Sequence, residues 1–475
     1  MLGATGATAA LGGCDPAMDA LSNLLASSDP TDFRPPDAAE IDATAHVLSR
    51  LTWGAPPGEY RRVHALGVDA FVEEQLRPDD LPDRRCAWKV ASLESIAEPT
   101  GELYDHDPRQ LRLDLTRAKL IRGVYSRRQL YEVMVDFWSD HLNIVLHKGH
   151  CKWLKAADDR DVVRTHAMGR FRDLIRASVV SPAMLIYLDG HANKVERPGD
   201  RPNENYAREL LELHTLGVHG GYEQRDVMEI ARCLSGWTYA HEPLALRPAH
   251  VAFDPSRHDA GAKSVLGHVI PAGGGADDLE RVLDIVCAHP ATARHVATKL
   301  GQRFVDDPAP PAAVETTTAA FLDSDGDIRA TLRALFASED FRETRGNLFK
   351  RPLRFVVGGL RATGAKTNCG PPVIEYLERM GQLPFQYPSP DGYPLEAQPW
   401  LGTLLWRWNL ALAVQHGDLK GTTVASDALE TQLGGRAGLA AHLLGRVATP
   451  RELELLDGAP APLALLLSSP AFQRF

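Results

Sequence analysis

One run of the chain, residues 203–217, has the sequence Asn-Glu-Asn-Tyr-Ala-Arg-Glu-Leu-Leu-Glu-Leu-His-Thr-Leu-Gly and constrains the fold more than any other. It opens with asparagines, which are common helix caps, and it closes with a glycine, which is a common helix stop. At about 100° per residue, Asn205, Glu209 and Glu212 share one face of the predicted helix. Arg208 lies at the margin of that face.

Glu209 and Glu212 therefore lie one turn apart on the predicted helix. Either Arg208 and neighbouring donors hold this pair of carboxylates in place, or their mutual repulsion raises the pKa of one of them. In the second case the pair supplies a candidate general acid and a candidate general base. The pattern indicates a site on this helix.

The length of 475 residues and the hydrophobic content of 44% predict more than one ordinary core. We expect an export leader and tether at residues 1–40, a helical domain with the central run and a flap at 41–277, and a helical subdomain packed on it at 278–475. The formal net charge of -10 and the lack of a long Lys/Arg run argue against nucleic acid as a partner.

The N-terminal residues are small and apolar, and Leu11-Gly-Gly-Cys14 is typical of the cleavage box of bacterial lipoproteins. This pattern predicts an exported protein of the periplasm or cell envelope that carries a lipid anchor on Cys14. The alternative is a small-residue tail with no targeting role. No later run approaches the ~20 apolar residues of a spanning helix, so the lipid is the one membrane contact that we expect.

The cysteines stand at positions 14, 86, 151, 233, 287 and 369 and include no Cys-x-x-Cys pair. This spacing argues against a structural zinc of the ribbon type. With Cys14 lipidated, the others are odd in number and irregular in spacing, which predicts buried thiols rather than a disulfide framework.

Helical periodicity dominates the remaining chain. Apolar residues keep it from 110 to 143 and again in five segments between 277 and 363. Residues 238–277 lack it, hold several histidines and suggest a hairpin near 265–270. We therefore predict a mainly α fold, a multi-helix globular body with a long irregular or β-hairpin insertion. The acidic turn at 323–327 has its glycine at the wrong step for a calcium loop and predicts a helix cap.

A predicted helix pair ends at residues 136–143, Asp-Phe-Trp-Ser-Asp-His-Leu-Asn. Aromatic rings beside polar groups are the mix expected of a ligand pocket. In this interpretation Trp138 is a wall of the pocket, and His141 and Asn143 are its polar groups. The alternative is a helix end at which Asp140 and Asn143 cap backbone groups.

Further polar residues follow the central run. Asp226 falls in the first turn of the next predicted helix, where the helix dipole is a sufficient structural reason for a carboxylate. His258, Asp259 and Lys263 lie in the 238–277 insertion, and a loop of this length in a compact domain is usually functional. An ordinary network of turn residues is the alternative for these three.

Several familiar catalytic patterns are missing from the sequence. There is no Gly-x-Ser-x-Gly elbow, no phosphate-binding loop and no dinucleotide fingerprint, so we expect no nucleotide cofactor. Thr215 stands where a ferritin-like di-iron helix would need histidine. The sequence is compatible with a divalent metal held by nitrogen and oxygen ligands. Its candidate ligands are His141, Glu209, Asp226 and His258.

A series of motifs occurs in the order found in one bacterial family. The motifs are Leu51-Thr-Trp-Gly54, Phe137-Trp-Ser-Asp-His-Leu-Asn143, residues 203–217, Gly221-Tyr-Glu-Gln-Arg-Asp226, Ser235-Gly-Trp237, residues 253–259 and Lys350-Arg-Pro-Leu353. By these motifs the chain resembles the family catalogued as domain of unknown function 1800, from about residue 41 to the C-terminus. The resemblance implies an exported protein, often with a twin-arginine leader and encoded beside a sulfatase-like or phosphatase-like partner, without an agreed activity. Asp140 departs from the pattern, which commonly has asparagine, and we expect its charge to alter the pKa of His141.

The first functional hypothesis, which we favour, is a cell-envelope hydrolase or lyase that acts on a glycan, peptide or polyester by acid–base chemistry, with or without a metal. Its expected catalytic residues are His141, Arg208, Glu209, Glu212, Asp226, His258 and Asp259. Its expected substrate-binding residues are Trp138, Asn143, Asn205, Tyr206, Trp237 and Lys263. The second hypothesis is a non-catalytic helical lipoprotein that serves as a scaffold for an exported sulfatase-like partner, with Arg208, Glu209 and Glu212 as a structural ion network.

Overall fold

Helices make up most of the computed structural model, which describes residues 32–197, 199–241 and 249–475. The predicted mainly α fold is confirmed, with twenty-three α-helices and three small two-stranded sheets in the described part. The predicted leader up to residue 31, including the predicted lipidation site Cys14, lies outside the described residues. Among the helices of the described ranges, none has both the length and the apolar character needed to cross a membrane.

The first eleven helices include the central run. Their bounds are α1 Ala43–Leu51, α2 Glu59–Leu66, α3 Val68–Leu76, α4 Arg84–Ala91, α5 Pro108–Tyr125, α6 Gln129–His141, α7 Cys151–Ala157, α8 Phe171–Val179, α9 Pro182–Tyr187, α10 Asn205–Glu209 and α11 Gln224–Cys233. Two of them continue without a break into π-helix: α7 into Asp158–Arg164 and α10 into Leu210–His214.

The second half adds twelve helices. Their bounds are α12 Asp277–Cys287, α13 Pro290–Phe304, α14 Pro311–Asp323, α15 Ile328–Ala337, α16 Glu339–Glu343, α17 Pro352–Ala362, α18 Pro371–Arg379, α19 Leu404–His416, α20 Ser426–Gln432, α21 Arg436–Leu444, α22 Pro450–Asp457 and α23 Pro462–Ser468. The predicted cap is also present, because the Asp327 carboxylate accepts a hydrogen bond from the Ala330 amide at 2.7 Å.

The predicted insertion contains two antiparallel hairpins. Strand β1 (Trp237–His241) pairs with β2 (Ala249–Phe253), and β3 (Lys263–Val265) pairs with β4 (His268–Ile270). The second hairpin is the one predicted near 265–270. A further two-residue pair, β5 (Lys366–Thr367) and β6 (Thr422–Thr423), joins segments of the C-terminal half.

A continuous set of buried apolar side chains runs from Ala45 to Phe472 and includes residues of both halves. Close backbone contact brings α17 to the segment after α1: a Cβ atom added at Gly358 would lie 2.7 Å from the Trp53 carbonyl oxygen. The cysteines at 86, 151, 233, 287 and 369 are buried free thiols, as predicted.

Candidate active site

The central run folds as a short α-helix followed by a π-helix, whereas the sequence predicts one continuous α-helix. α10 ends at Glu209, and the π-helix Leu210–His214 follows it directly. The Thr215 hydroxyl donates a hydrogen bond to the Leu210 carbonyl, five residues back, at 2.6 Å. A π-helix turn is wider than an α-helix turn and therefore changes which side chains share a face; such turns are frequent at functional sites.

Two histidines from other helices bind the end of this π-helix. Nε2 of His141 lies 3.0 Å from the His214 carbonyl oxygen, and Nε2 of His295 lies 3.1 Å from the Leu213 carbonyl oxygen. The run then turns at Gly217, which has a φ of 82° and leaves no room for a side chain: a Cβ atom would lie 2.7 Å from Nδ1 of His295. The imidazoles thus satisfy carbonyls that a helix end leaves without partners.

Four ionisable side chains of the run form a partly exposed group, which we call the carboxylate cluster: Glu204, Arg208, Glu209 and Glu212. Arg208 lies 3.3 Å from Glu204 and 3.6 Å from Glu212. It also donates a hydrogen bond to the Gln224 side chain at 3.0 Å. The side chains of Arg208 and Glu212 are 34% and 28% exposed, so this face is accessible to a ligand.

Glu209 is the member of the carboxylate cluster without a direct partner. No described side chain forms a hydrogen bond or an ion pair with its carboxyl group. Partial burial raises its pKa, the charge of Glu212 raises it further, Arg208 opposes the rise, and Asp391 adds to it. A carboxyl group that has a raised pKa and stays partly accessible is suited to act as a general acid.

Two tyrosines, Tyr187 and Tyr222, and one further acid, Asp391, flank the carboxylate cluster, and none of them was predicted as a site residue. Burial, together with the charge of Glu212, raises the pKa of Tyr222 to about 12. Burial also raises the pKa of Tyr187 to about 12, and the charges of Glu209 and Asp391 contribute to this rise. Tyr187, Glu209 and Asp391 therefore interact electrostatically with one another.

Asp391 belongs to a proline-rich loop, residues 384–399, that the predicted site residue Asn143 holds in place. Nδ2 of Asn143 donates hydrogen bonds to the carbonyls of Tyr387 at 3.0 Å and Ser389 at 2.7 Å. Asn143 thus positions this loop through its backbone. The signal in the sequence that could have identified Asp391 is its place in an Asp-Gly turn flanked by prolines and tyrosines.

His141 is paired with a lysine that was not predicted. Its Nδ1 lies 3.1 Å from Nζ of Lys299 and accepts the hydrogen bond, since Nε2 donates to a carbonyl. Burial, then the charge of Lys299, holds the pKa of His141 well below its usual range. Burial lowers the pKa of Lys299 to about 8, against the opposing charges of Asp140 and Asp391. Because both nitrogens of His141 are engaged and only 1% of the residue is exposed, it positions the π-helix.

The charge of Asp140 acts differently from the expected effect on His141. Asp140 lies 3.0 Å from Arg351, and burial raises the pKa of Asp140 against the effect of that guanidinium group. Its charge raises the pKa of Lys299. Lys299 is in turn the main charge that lowers the pKa of His141. The charge of Asp140 thus acts on Lys299, the neighbour of His141.

Two residues predicted in the insertion, His258 and Lys263, form a buried group with Asp278 of α12, and we call this group the insertion cluster. Nζ of Lys263 lies 2.6 Å from Oδ2 of Asp278, and Nε2 of His258 lies 3.2 Å from the same oxygen. Nδ1 of His258 donates a hydrogen bond to the Ser235 carbonyl at 2.9 Å. The side chains of Lys263 and Asp278 are fully buried, so this ion pair fastens the insertion to α12.

Asp226 and Asp259 also make structural contacts. Asp226 accepts hydrogen bonds from the backbone amides of Glu223 and Leu266, each at 2.9 Å, and thereby caps α11 and fixes the turn between β3 and β4. Asp259 accepts two hydrogen bonds from the Arg232 guanidinium group, at 2.7 Å and 3.0 Å. These contacts are a sufficient structural reason for the Asp226 carboxylate.

The predicted substrate-binding residues are spread over several contacts. Trp138 is fully buried and donates from Nε1 to the Ala167 carbonyl at 3.0 Å. Tyr206 is also buried. Asn205 donates from Nδ2 to a backbone carbonyl in the turn after α9, and Trp237 is partly exposed at the start of β1. Of the predicted catalytic residues, the structure brings together Arg208, Glu209 and Glu212.

The four metal-ligand candidates do not form one group. His141 is bonded to Lys299, Asp226 caps a helix, and His258 belongs to the insertion cluster. Across the described ranges, no set of three or more His, Cys, Asp or Glu side chains is arranged to hold a metal ion.

A family model described as "Protein of unknown function (DUF1800)" matches residues 46–474. The chain belongs to this family. The carboxylate cluster, the Asp391 loop and the insertion cluster of this DUF1800 protein all lie within the matched region. No curated protein and no solved structure shows significant similarity to the chain.

Proposed function

We propose that this DUF1800 protein is a hydrolase or lyase of the cell envelope that uses the carboxylate cluster for acid–base chemistry on a glycan, peptide or polyester. The observation that carries the proposal is Glu209, a partly accessible carboxyl group with a raised pKa, no ion-pair partner and a second carboxylate nearby. A titratable group perturbed by desolvation and by a specific charge is a candidate for catalysis.

In the hydrolytic form of this proposal, Glu209 donates its proton to the leaving group. Glu212, whose charge raises the pKa of the neighbouring Tyr222, takes a proton from the attacking water. Arg208, held 3.6 Å from Glu212, binds the substrate or the negative charge that develops on it. One water molecule is consumed: its hydroxyl adds to the electrophilic carbon, and the leaving group departs with the proton from Glu209.

The cell-envelope location rests on the sequence at Leu11–Cys14 and on the family resemblance. We propose that Cys14 carries a lipid and that this lipid attaches the protein to the membrane. Metabolic labelling with a radioactive fatty acid tests this step: the wild-type chain should take up label, and Cys14→Ser should not. Label retained by Cys14→Ser would contradict the assignment.

Turnover of defined polymers tests the catalytic proposal directly. Purified wild-type protein is incubated with peptidoglycan, neutral and acidic polysaccharides, a peptide library and a polyester, and soluble products are measured. For any polymer that is cleaved, Glu209→Gln should lower the rate by at least about 100-fold, the usual size of a general-acid contribution.

Glu204→Gln is the matched control for this experiment. Glu204 lies in the same cluster but is engaged by Arg208 at 3.3 Å and by Gln224 at 2.6 Å. Its substitution should leave most of the activity. Unchanged turnover in Glu209→Gln would refute the assignment of Glu209 as the acid.

A second candidate function, a scaffold for an exported sulfatase-like partner, is favoured by one observation. Four apolar side chains spaced as i, i+3, i+4 and i+7 are exposed: Leu401 by 52%, Leu404 by 52%, Leu405 by 65% and Trp408 by 43%. An apolar stripe of this kind fits a protein partner. Co-purification with the co-expressed partner should be lost in Leu405→Glu and kept in Glu209→Gln if the scaffold is correct.

A further inference from the structure

The motif at residues 350–353, Lys-Arg-Pro-Leu, plays no part in the proposed chemistry, but it opens α17 beside a group of buried cations. We call this group the cation cluster: Arg50, Arg303, Lys350, Arg354 and Arg407. Among the described residues, no carboxylate lies within 4.0 Å of any cation in this cluster. Asp136, Asp140 and Asp306 act on the cluster only from beyond that distance, so its buried positive charges have no directly paired anion, which is unfavourable.

Guanidinium donors in the cluster also lack acceptors. Nη2 of Arg354 donates to the Thr52 carbonyl at 2.7 Å, but Nε and Nη1 are buried and have no partner. The same is true of Nε and Nη1 in Arg50 and of Nε in Arg303. Arg50 is fully buried, and Arg303 and Arg354 are 5% and 4% exposed. Unpaired donors this deep in a protein indicate a group that is bound between them.

Two small cavities adjoin Arg354. Their volumes are about 20 Å³ and 90 Å³, and Trp53, Arg354 and Phe475 are walls of both. Arg303 lines the smaller cavity together with Asp136 and Arg351, and Lys350 lines the larger one. A single water molecule needs roughly 10–15 Å³ on this scale, so there is room for more than one water-sized group beside Arg303 and Arg354, which carry unpaired donors.

The electrostatics of the cluster agree with this geometry. Burial lowers the pKa of Arg50 and of Arg407 to about 9. Burial and the neighbouring Arg351 lower the pKa of Arg303 to about 10. For Lys350 and Arg354 burial and adjacent cations lower the pKa well below its usual range. A bound anion would raise the pKa of each of these cations, because it favours the charged form.

We propose that the cavities beside Arg354 bind an oxyanion of the phosphate or sulfate type, either as a free ion or as the ester head of a larger ligand. Guanidinium groups pair with such oxyanions through parallel hydrogen bonds. A dianion also offsets more of the local positive charge than a halide does, whereas water would satisfy donors and supply no charge. This site is separate from the carboxylate cluster and does not depend on the proposed enzyme activity.

Thermal unfolding of the full chain tests the site. The melting temperature is measured against inorganic phosphate and, separately, sulfate, with sodium chloride adjusted to keep the ionic strength constant. The wild-type melting temperature should rise with the logarithm of the phosphate or sulfate concentration. Titration calorimetry with inorganic phosphate and with glycerol 3-phosphate then distinguishes the two sources: tighter binding of the ester assigns the head group of a larger ligand.

Two variants and one control decide the outcome. Arg354→Gln and Arg303→Met should each lower phosphate affinity at least tenfold. Arg303 forms no hydrogen bond with a described residue, so Arg303→Met keeps the test valid if Arg354→Gln does not fold. Arg361→Met is the control. Arg361 is buried in α17, the helix that also holds Arg354, but its Nε and Nη1 each donate a hydrogen bond to a carbonyl at 2.6 Å. The Arg361→Met control should be less stable than the wild type and keep the phosphate response.

Three results would overturn the proposal. They are a wild-type melting temperature that does not respond to phosphate or sulfate, an equal response to chloride, and an unchanged response in both Arg354→Gln and Arg303→Met.

Discussion

The carboxylate cluster and the insertion cluster are both dense in ionisable residues, yet the structure uses them in opposite ways. In the insertion cluster, Lys263 and Asp278 pair at 2.6 Å and are completely buried. In the carboxylate cluster, Glu209 has no ion-pair partner, and Glu212 is 28% exposed. The comparison teaches that charge pairing and accessibility, more than the number of ionisable residues, separate a structural network from a candidate site.

The largest expected effect on stability is at Asp278. Asp278→Ala leaves the buried Lys263 ammonium without its counter-charge, which should lower the free energy of unfolding by about 3–5 kcal/mol. Glu209→Gln removes no ion pair and should change it by less than about 1 kcal/mol. Urea unfolding followed by circular dichroism measures both. Equal losses of unfolding free energy in Asp278→Ala and Glu209→Gln would contradict the difference between the two clusters.

A smaller effect is expected from the pH dependence of Lys299. Its pKa in the folded protein is about 8, below its ordinary value of 10.5. Between these two pH values the unfolded chain binds more protons than the folded protein, so the free energy of unfolding should rise with pH. Because one pKa unit corresponds to ~1.36 kcal/mol, the contribution from this lysine is about 3 kcal/mol.

Lys299→Met isolates that contribution, because the other titrating groups are shared with the wild-type chain. The difference in unfolding free energy between wild type and variant should therefore change steadily from pH 8 to pH 10.5, in favour of the wild type. A difference that is independent of pH would show that the lysine is not desolvated in the folded state.

The smallest expected effect is at Tyr222. Its hydroxyl interacts electrostatically with Glu212, so Tyr222→Phe should leave the fold intact and change the environment of the proposed base. We expect kcat to fall by about tenfold, which corresponds to about 1.4 kcal/mol in the activation free energy. Steady-state kinetics on a polymer that the wild type cleaves provide the measurement, and Tyr239→Phe, a tyrosine in β1, serves as the control. A larger loss of kcat in Tyr239→Phe than in Tyr222→Phe would show that the active site lies elsewhere.

Local signals in the sequence were sufficient for most of the fold. The helical period between 277 and 363 predicts α12 to α15 and α17, and the structure confirms each of them within a residue or two. The hairpin near 265–270 and the cap at Asp327 are confirmed as well. These elements depend on residues close in the chain, which is why periodicity, turn residues and caps identify them.

The candidate site was less predictable because it depends on contacts between distant residues. The π-helix Leu210–His214 is bound at its end by His141 and His295, and neither contact is visible in the run itself. His141 is hydrogen-bonded to Lys299, which lies 158 positions later in the chain. Asp391 lies in residues 384–397, a stretch without helix or strand. Glu209 and Glu212 were identified because both belong to one short run.

The pKa of Glu209 tests the central claim most directly. Selective ¹³C labelling of glutamate side chains, with Glu209→Gln used to assign the signal, gives this pKa by NMR titration. The account predicts a pKa above the ordinary glutamate value of 4.5, and a lower pKa when Glu212→Gln removes the neighbouring negative charge. A Glu209 pKa at or below 4.5 that does not respond to Glu212→Gln would contradict the assignment of Glu209 as the general acid.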